Sequence, residues 1–168
     1  MIFENRFKTT EEMYKEYVYK VLCRGILVQG VIFSVIAGLT IPMVMGQSGI
    51  LAAVEGVCLL ILICVMVFVP RQTLKQLLKQ QKRLHGGEFP ESVISFGEDI
   101  QIVEGRQQMH FEYSLVERFY HLKTCNVLMI GKENGILYVP GAFTVGNPEE
   151  FEKFILMNCK NLKRIEKR

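Results

Sequence analysis

The sequence predicts an α+β membrane protein: a transmembrane helical hairpin plus a small antiparallel β-barrel or sheet capped by a C-terminal helix. Three observations predict it. Gly25 to Met45 is a run of 21 residues without a charge, and Ile50 to Val69 is a run of 20 residues with one charge, Glu55. A bilayer-crossing helix needs about 20 apolar residues. Basic residues flank both runs but are missing from the four residues between them. Beyond Gly86, Gly87 and Pro90 the hydrophobic period changes from helical to two, the spacing of strands.

Composition narrows the class. An apolar fraction of 49% with a net charge of only +3 excludes a disordered chain. Five cysteines without framework spacing exclude a disulfide scaffold. The charge divides as +1 for residues 1–24, −1 for 25–70, +5 for 71–84 and −2 for 85–168. The excess is therefore a membrane-flanking collar, and the mildly acidic remainder argues against nucleic acid as a partner.

Residues 1–24 form the first segment. Ile2 to Lys8 alternates loosely, with Phe3 and Phe7 on one side, and is a candidate seventh strand for the downstream sheet. Thr9 followed by Glu12 reads as a capping box. A helix is expected from about Thr10 into the first apolar run, with Tyr14, Tyr17 and Tyr19 at headgroup depth.

Residues 25–70 form the hairpin, turned by Gly46, Gln47, Ser48 and Gly49. Two buried helices of a soluble core would carry polar stripes, and neither run does. A cleaved signal sequence is disfavoured by the polar segment before the first run and the second span directly after it. Gly30, Ser34 and Gly38 recur every four residues and form a candidate packing face, with Gly56 level with Gly38 on the second helix. The same face suits self-association of two chains. Glu55 lies near the turn, where the interface and the positive helix end stabilise a carboxylate; ion binding or transport is the rival role. Gln29 is expected to make an interhelical hydrogen bond.

Residues 71–87 are a basic juxtamembrane helix and linker. Arg71, Lys75, Lys79, Lys82 and Arg83 are candidate contacts to an anionic membrane surface, each worth about 1 kcal/mol there. Simple cytoplasmic anchoring under the positive-inside rule is the favoured reading of them, over specific lipid recognition. Bases before the first span and after the second place both termini in the cytoplasm, in a two-span protein of the cell membrane.

Residues 88–168 are expected to fold as a cytoplasmic domain. Strands are read at Ser92–Phe96, Ile100–Ile102, Met109–Tyr113, Leu115–Leu122, Val127–Ile130 and Ile136–Val139. Gly97-Glu98-Asp99 and Gly105 to Gln107 are turns, and Asn134-Gly135 is a hairpin signal. Asn147, Pro148, Glu149 and Glu150 start a last helix whose apolar face is Phe151, Phe154, Ile155, Leu162 and Ile165.

Several blocks carry a resemblance: Ile94-Ser95-Phe96-Gly97-Glu98-Asp99-Ile100, Tyr113-Ser114-Leu115-Val116-Glu117, and Ile136-Leu137-Tyr138-Val139-Pro140-Gly141-Ala142-Phe143. With Thr9-Thr10-Glu11-Glu12 and two closely spaced spans, the chain resembles the YcxB-like family of bacterial membrane proteins over nearly its whole length. The resemblance implies a C-terminal module similar to pleckstrin-homology-like (PH-like) barrels. It implies architecture rather than an activity. Family members often carry a base after the proline, where this chain has Gly141 and Ala142. The first hairpin turn is acidic and would repel phosphate.

No catalytic constellation is legible. His85, His110 and His121 lack partners at metal-ligand spacing; Cys125 with His121 is the one conceivable dyad, and Glu98 with Asp99 is a turn. The expectation is a non-enzymatic membrane protein, without cofactor, metal or identified small-molecule substrate. Its cytoplasmic PH-like module would bind an unknown protein partner, its own copy or the bilayer leaflet. The alternative is an oligomeric transport or channel subunit using Glu55 and Gln29.

Overall fold

Alternation sets the first strand: Phe3, Asn5 and Phe7 turn inward while Arg6 and Lys8 face solvent, giving β1 (Phe3–Lys8). The computed structural model describes all residues except 1, 47, 90, 106, 132, 133 and 168, and not the side chains of 164 and 167. The chain divides into two units, residues 1–17 with 77–168, and residues 18–76.

The first unit is α+β. One sheet has the order β4-β3-β2-β1-β8, where β2 is Glu91–Phe96, β3 Ile100–Glu104, β4 Gln107–Phe111 and β8 Phe143–Val145. β1 joins β2 antiparallel from Phe3↔Phe96 to Lys8↔Glu91, so the N-terminal segment is an interior strand of this sheet. The second sheet has the order β7-β6-β5-β9, with β5 at Val116–His121, β6 at Asn126–Ile130, β7 at Asn134–Tyr138 and β9 at Arg164–Lys167. All pairs are antiparallel except β5 with β9.

Two helices of this unit pack on its sheets. α1 (Glu11–Tyr17) starts at Thr10, whose hydroxyl accepts from the Met13 N–H at 3.3 Å. The cap is thus Thr10 and not Thr9, whose hydroxyl accepts no N–H among the described residues, and the expected box with Glu12 does not form. Tyr14 and Tyr17 are 5% and 3% exposed, so their rings lie in the protein interior. Their rings find apolar partners there, Phe89 beside Tyr14 at 5.7 Å. The Glu16 carboxylate accepts from the N–H groups of Lys123 and Thr124 and from the Thr124 hydroxyl at 2.7–3.1 Å, tying α1 to the β5–β6 turn.

The other helix is α4 (Pro148–Asn158), capped by Asn147, whose side chain accepts from the Glu149 N–H at 2.9 Å. It closes one end of the unit with Phe151, whose ring meets Phe3, Phe96, Tyr138 and Phe143 at 4.5–5.4 Å. The expected helix through Ile165 stops at Asn158. The Asn161 side chain donates to the Ser114 carbonyl at 2.7 Å and the Lys163 N–H to the Glu117 carbonyl at 2.8 Å. These bonds draw the chain to the edge of β5, where β9 pairs instead of continuing the helix.

Asn134 and Gly135 do not form the turn of their hairpin. They are paired with Ile130 and Met129 inside β7, and Gly131, at φ +66°, leads out of β6. Gly135 serves close approach: a Cβ there would stand 2.8 Å from the Tyr17 ring and 2.8 Å from Val127.

The second unit is helical. A π-helical turn, Val18–Leu22, ends in a bend at Cys23, where the Cys23 N–H bonds the Val18 carbonyl. The expected continuous helix from Thr10 is broken here, because that bond spans five residues and the chain restarts as α2 (Arg24–Met45). α3 (Gly49–Leu84) follows and runs through Pro70 without a break, so its basic stretch continues the second apolar run. Both helices are long and apolar enough to cross a membrane, with mean hydropathy 2.1 and 2.9.

Candidate functional site

The outer surfaces of α2 and α3 are apolar and open: Phe33, Leu39, Leu60 and Phe68 are 59–69% exposed. Helices of a soluble core would be covered instead. Between α2 and α3, Gly30 is buried and Ser34 half-buried, and the Ser34 hydroxyl donates to the Gly30 carbonyl at 2.8 Å. A Cβ on Gly30 would strike the Met66 side chain. Gly38 departs from the expected face: it is exposed, and neither it nor Gly56 has an atom within 4 Å of a would-be Cβ. Each step of four residues rotates about 40° past a full turn. Gly38 therefore drifts away, and the half-buried row continues through Ala37 and Ile41. Gln29 is exposed on α2 and does not reach across to α3.

Glu55 has a definite partner. It is half-buried, and the Thr40 hydroxyl of α2 donates to its carboxylate. Thr40 also lies within bonding distance of the Ile36 and Ala37 carbonyls, at 3.1 and 3.3 Å. The carboxylate is thus held by a clamp between the two helices close to their connection.

Of the basic residues on α3, Arg71, Lys75, Lys79 and Arg83 are exposed. Lys82 is committed elsewhere. Its ammonium pairs with Glu11 of α1 at 2.6 Å and lies 5.5 Å from the centre of the Phe89 ring. This lysine joins α1 to the end of α3, a structural contact that the charge pattern alone does not distinguish from its neighbours.

The conceivable dyad is not assembled. Cys125 is 1% exposed, and burial pushes its thiol up to about 11, which suppresses the thiolate. His121 stacks on Phe119 at 4.4 Å and meets Glu152 of α4 at 3.7 Å. At the acidic turn, His110 and Gln101 bond the Asp99 carboxylate at 2.9 Å each and hold it below the usual carboxylate range. Among the described residues no three His, Cys, Asp or Glu side chains are grouped to hold a metal.

No pattern in the sequence announces a cavity of about 480 Å³ in the first unit. β4 and β7, one outer strand of each sheet, both line it, with α1 and residues 77–84 of α3. Its walls are mostly apolar and aromatic, among them Phe7, Tyr14, Tyr17, Ile102, Met109 and Phe111. Glu104, Gln80, Gln81, Gln107, Asn134 and Thr9 bring polar groups to it. The one trace of it in the sequence is the apolar alternation of Met109 and Phe111 in β4, which reads as an ordinary strand.

Compared with protein-family models, curated proteins and solved structures, the chain matches none.

Proposed function

We propose that this chain is a two-span integral protein of the cell membrane that displays its α+β unit in the cytoplasm as a PH-like interaction or regulatory module of the YcxB-like kind. One observation carries most of this reading. β1 precedes the apolar helices and β2 follows them, yet they are hydrogen-bonded neighbours in one sheet. Strands of one sheet share one compartment, so the flanks of the helical pair lie on the same side and the number of crossings is even. The collar of Arg71, Lys75, Lys79 and Arg83 supports the cytoplasm as that side. Two sheets with a capping helix agree with a PH-like arrangement, with β1 and β9 as additions. The aromatic plug around Phe151 supplies the unit with its own core.

In this reading the partner is a protein or a second copy, and the exposed bases hold the unit near an anionic leaflet. Labelling with an impermeant maleimide on a cysteine-free background tests the topology. Ser48→Cys is expected to react from outside intact cells, and Glu98→Cys only after permeabilisation. The reverse pattern overturns the orientation. Crosslinked pull-down from native membranes then identifies the partner. The Thr40–Glu55 clamp favours one rival, a transport role. Glu55→Gln separates the two, because unchanged ion or proton flux in liposomes removes transport.

A further inference from the structure

We infer that the cavity lined by β4 and β7 is a binding site for a small primary amine with an apolar alkyl or aryl body. The inference does not depend on the topology above, since every lining residue belongs to the first unit.

Size comes first. A volume of about 480 Å³ lies within the ~300–1,000 Å³ usual for small-molecule pockets. The space is partly open to solvent, as a binding cleft is. Shape and chemistry come next. Tyr14, Tyr17, Phe111 and Met109 offer ring faces and soft apolar surface, which suits a flat or chain-like body.

The polar lining then selects the head group. Glu104 is the only charged residue lining the cavity among the described residues. One of its oxygens accepts from the buried Ser92 hydroxyl at 2.9 Å, a neutral donor, and among the described residues no cation pairs with the carboxylate. The same carboxylate, after burial itself, raises the Tyr14 hydroxyl to about 12. On α3, the Gln81 side-chain oxygen is buried without a hydrogen-bond partner. One helical turn on, the His85 Nε2 is also buried and unpartnered, and its ring lies against Gly105 beside Glu104. A buried acceptor left unpaired loses its hydration without a replacement, so an occupant that donates to it is favoured. A carboxylate and an amide oxygen call for a donor, and the carboxylate calls for positive charge. A primary ammonium supplies three donors and that charge, and aromatic faces favour cations further. A carboxylate or phosphate head is repelled.

The test uses the full chain in nanodiscs of zwitterionic lipid, with empty nanodiscs subtracted. Calorimetric titration compares butylamine, 2-phenylethylamine and tryptamine with 3-phenylpropanoate and 2-phenylethanol. At least one amine is expected to bind saturably at one per chain, and the carboxylate not at all. Glu104→Gln is expected to weaken amine binding about tenfold or more, as loss of a charged hydrogen bond does. Met109→Trp, which fills the cavity without touching the charge, is expected to abolish it at an unchanged melting temperature. Glu98→Gln, on the exposed turn, is expected to change nothing. Any of three results overturns the inference: no saturable binding by any amine (a cavity holding water only), equal binding of the carboxylate, or full affinity in Glu104→Gln. None of these bears on the maleimide pattern, so the two readings fail separately.

Discussion

Asn5 shows how one side chain can hold two sheets together. It is fully buried in β1, its amide donates to the Val139 carbonyl at 2.7 Å, and its oxygen accepts the Val139 N–H at 3.0 Å. The side chain thus imitates a neighbouring strand at the end of β7. Asn5→Ala leaves both main-chain groups of Val139 unpaired, and we expect a loss of about 2–4 kcal/mol in chemical denaturation. Asn5→Asp is expected to cost no less, since it removes the donor and buries a charge. The buried thiols make a second prediction at this scale. Burial raises Cys125 and Cys159 from 9.0 to about 11 each. The unfolded thiols therefore ionise first, and stability falls as pH rises from about 9 to about 11. In urea melts across that range, the double variant Cys125→Ala/Cys159→Ala should show a shallower decline than the parent protein.

At the scale of elements, α1 depends on the β5–β6 turn as much as on its own sequence. Glu16→Ala removes three acceptor contacts to Lys123 and Thr124. We expect a loss of about 1–3 kcal/mol, with earliest hydrogen exchange at the amides of Lys123 and Thr124. The same dependence explains what the sequence discloses. Local patterns were sufficient for the two apolar helices, for β2 through β7, and for the start of α4 at Asn147. They failed wherever a distant partner decided the outcome. β9 forms because β5 has a free edge, and nothing within Arg164 to Lys167 announces it. Asn134-Gly135 looks like a turn, yet Gly135 is small because Tyr17 needs the space. Lys82 looks like its basic neighbours, yet Glu11, remote in sequence, claims it. The cavity was hidden for the same reason: β4, β7, α1 and the end of α3 each look ordinary, and only their assembly leaves a space.

For the whole molecule, the largest energetic fact is the uncovered apolar surface of α2 and α3. Among the described residues nothing covers Leu60 or Phe33, which are 64% and 59% exposed. Leu60→Arg places a charge in the middle of the second apolar stretch. On the insertion scale a central Arg costs roughly 2.5–3.5 kcal/mol. A glycosylation-mapping assay should therefore show a marked drop in insertion of the second helix, and Leu60→Ala should show little change. Alkaline carbonate should leave the parent chain in the membrane pellet and release part of the Leu60→Arg variant.

The interior position of β1 also sets a timetable for biosynthesis. The ribosome makes Phe3 to Lys8 first, but their neighbour in the sheet, Glu91 to Phe96, emerges only after both apolar helices. At roughly 5–20 residues per second this is a wait of about 4–18 s. Throughout it the nascent strand carries two large apolar rings and two unpaired edges. A transcript truncated before Glu91 would release a chain that has no means of hiding them, so quality control should clear such fragments faster than the finished protein.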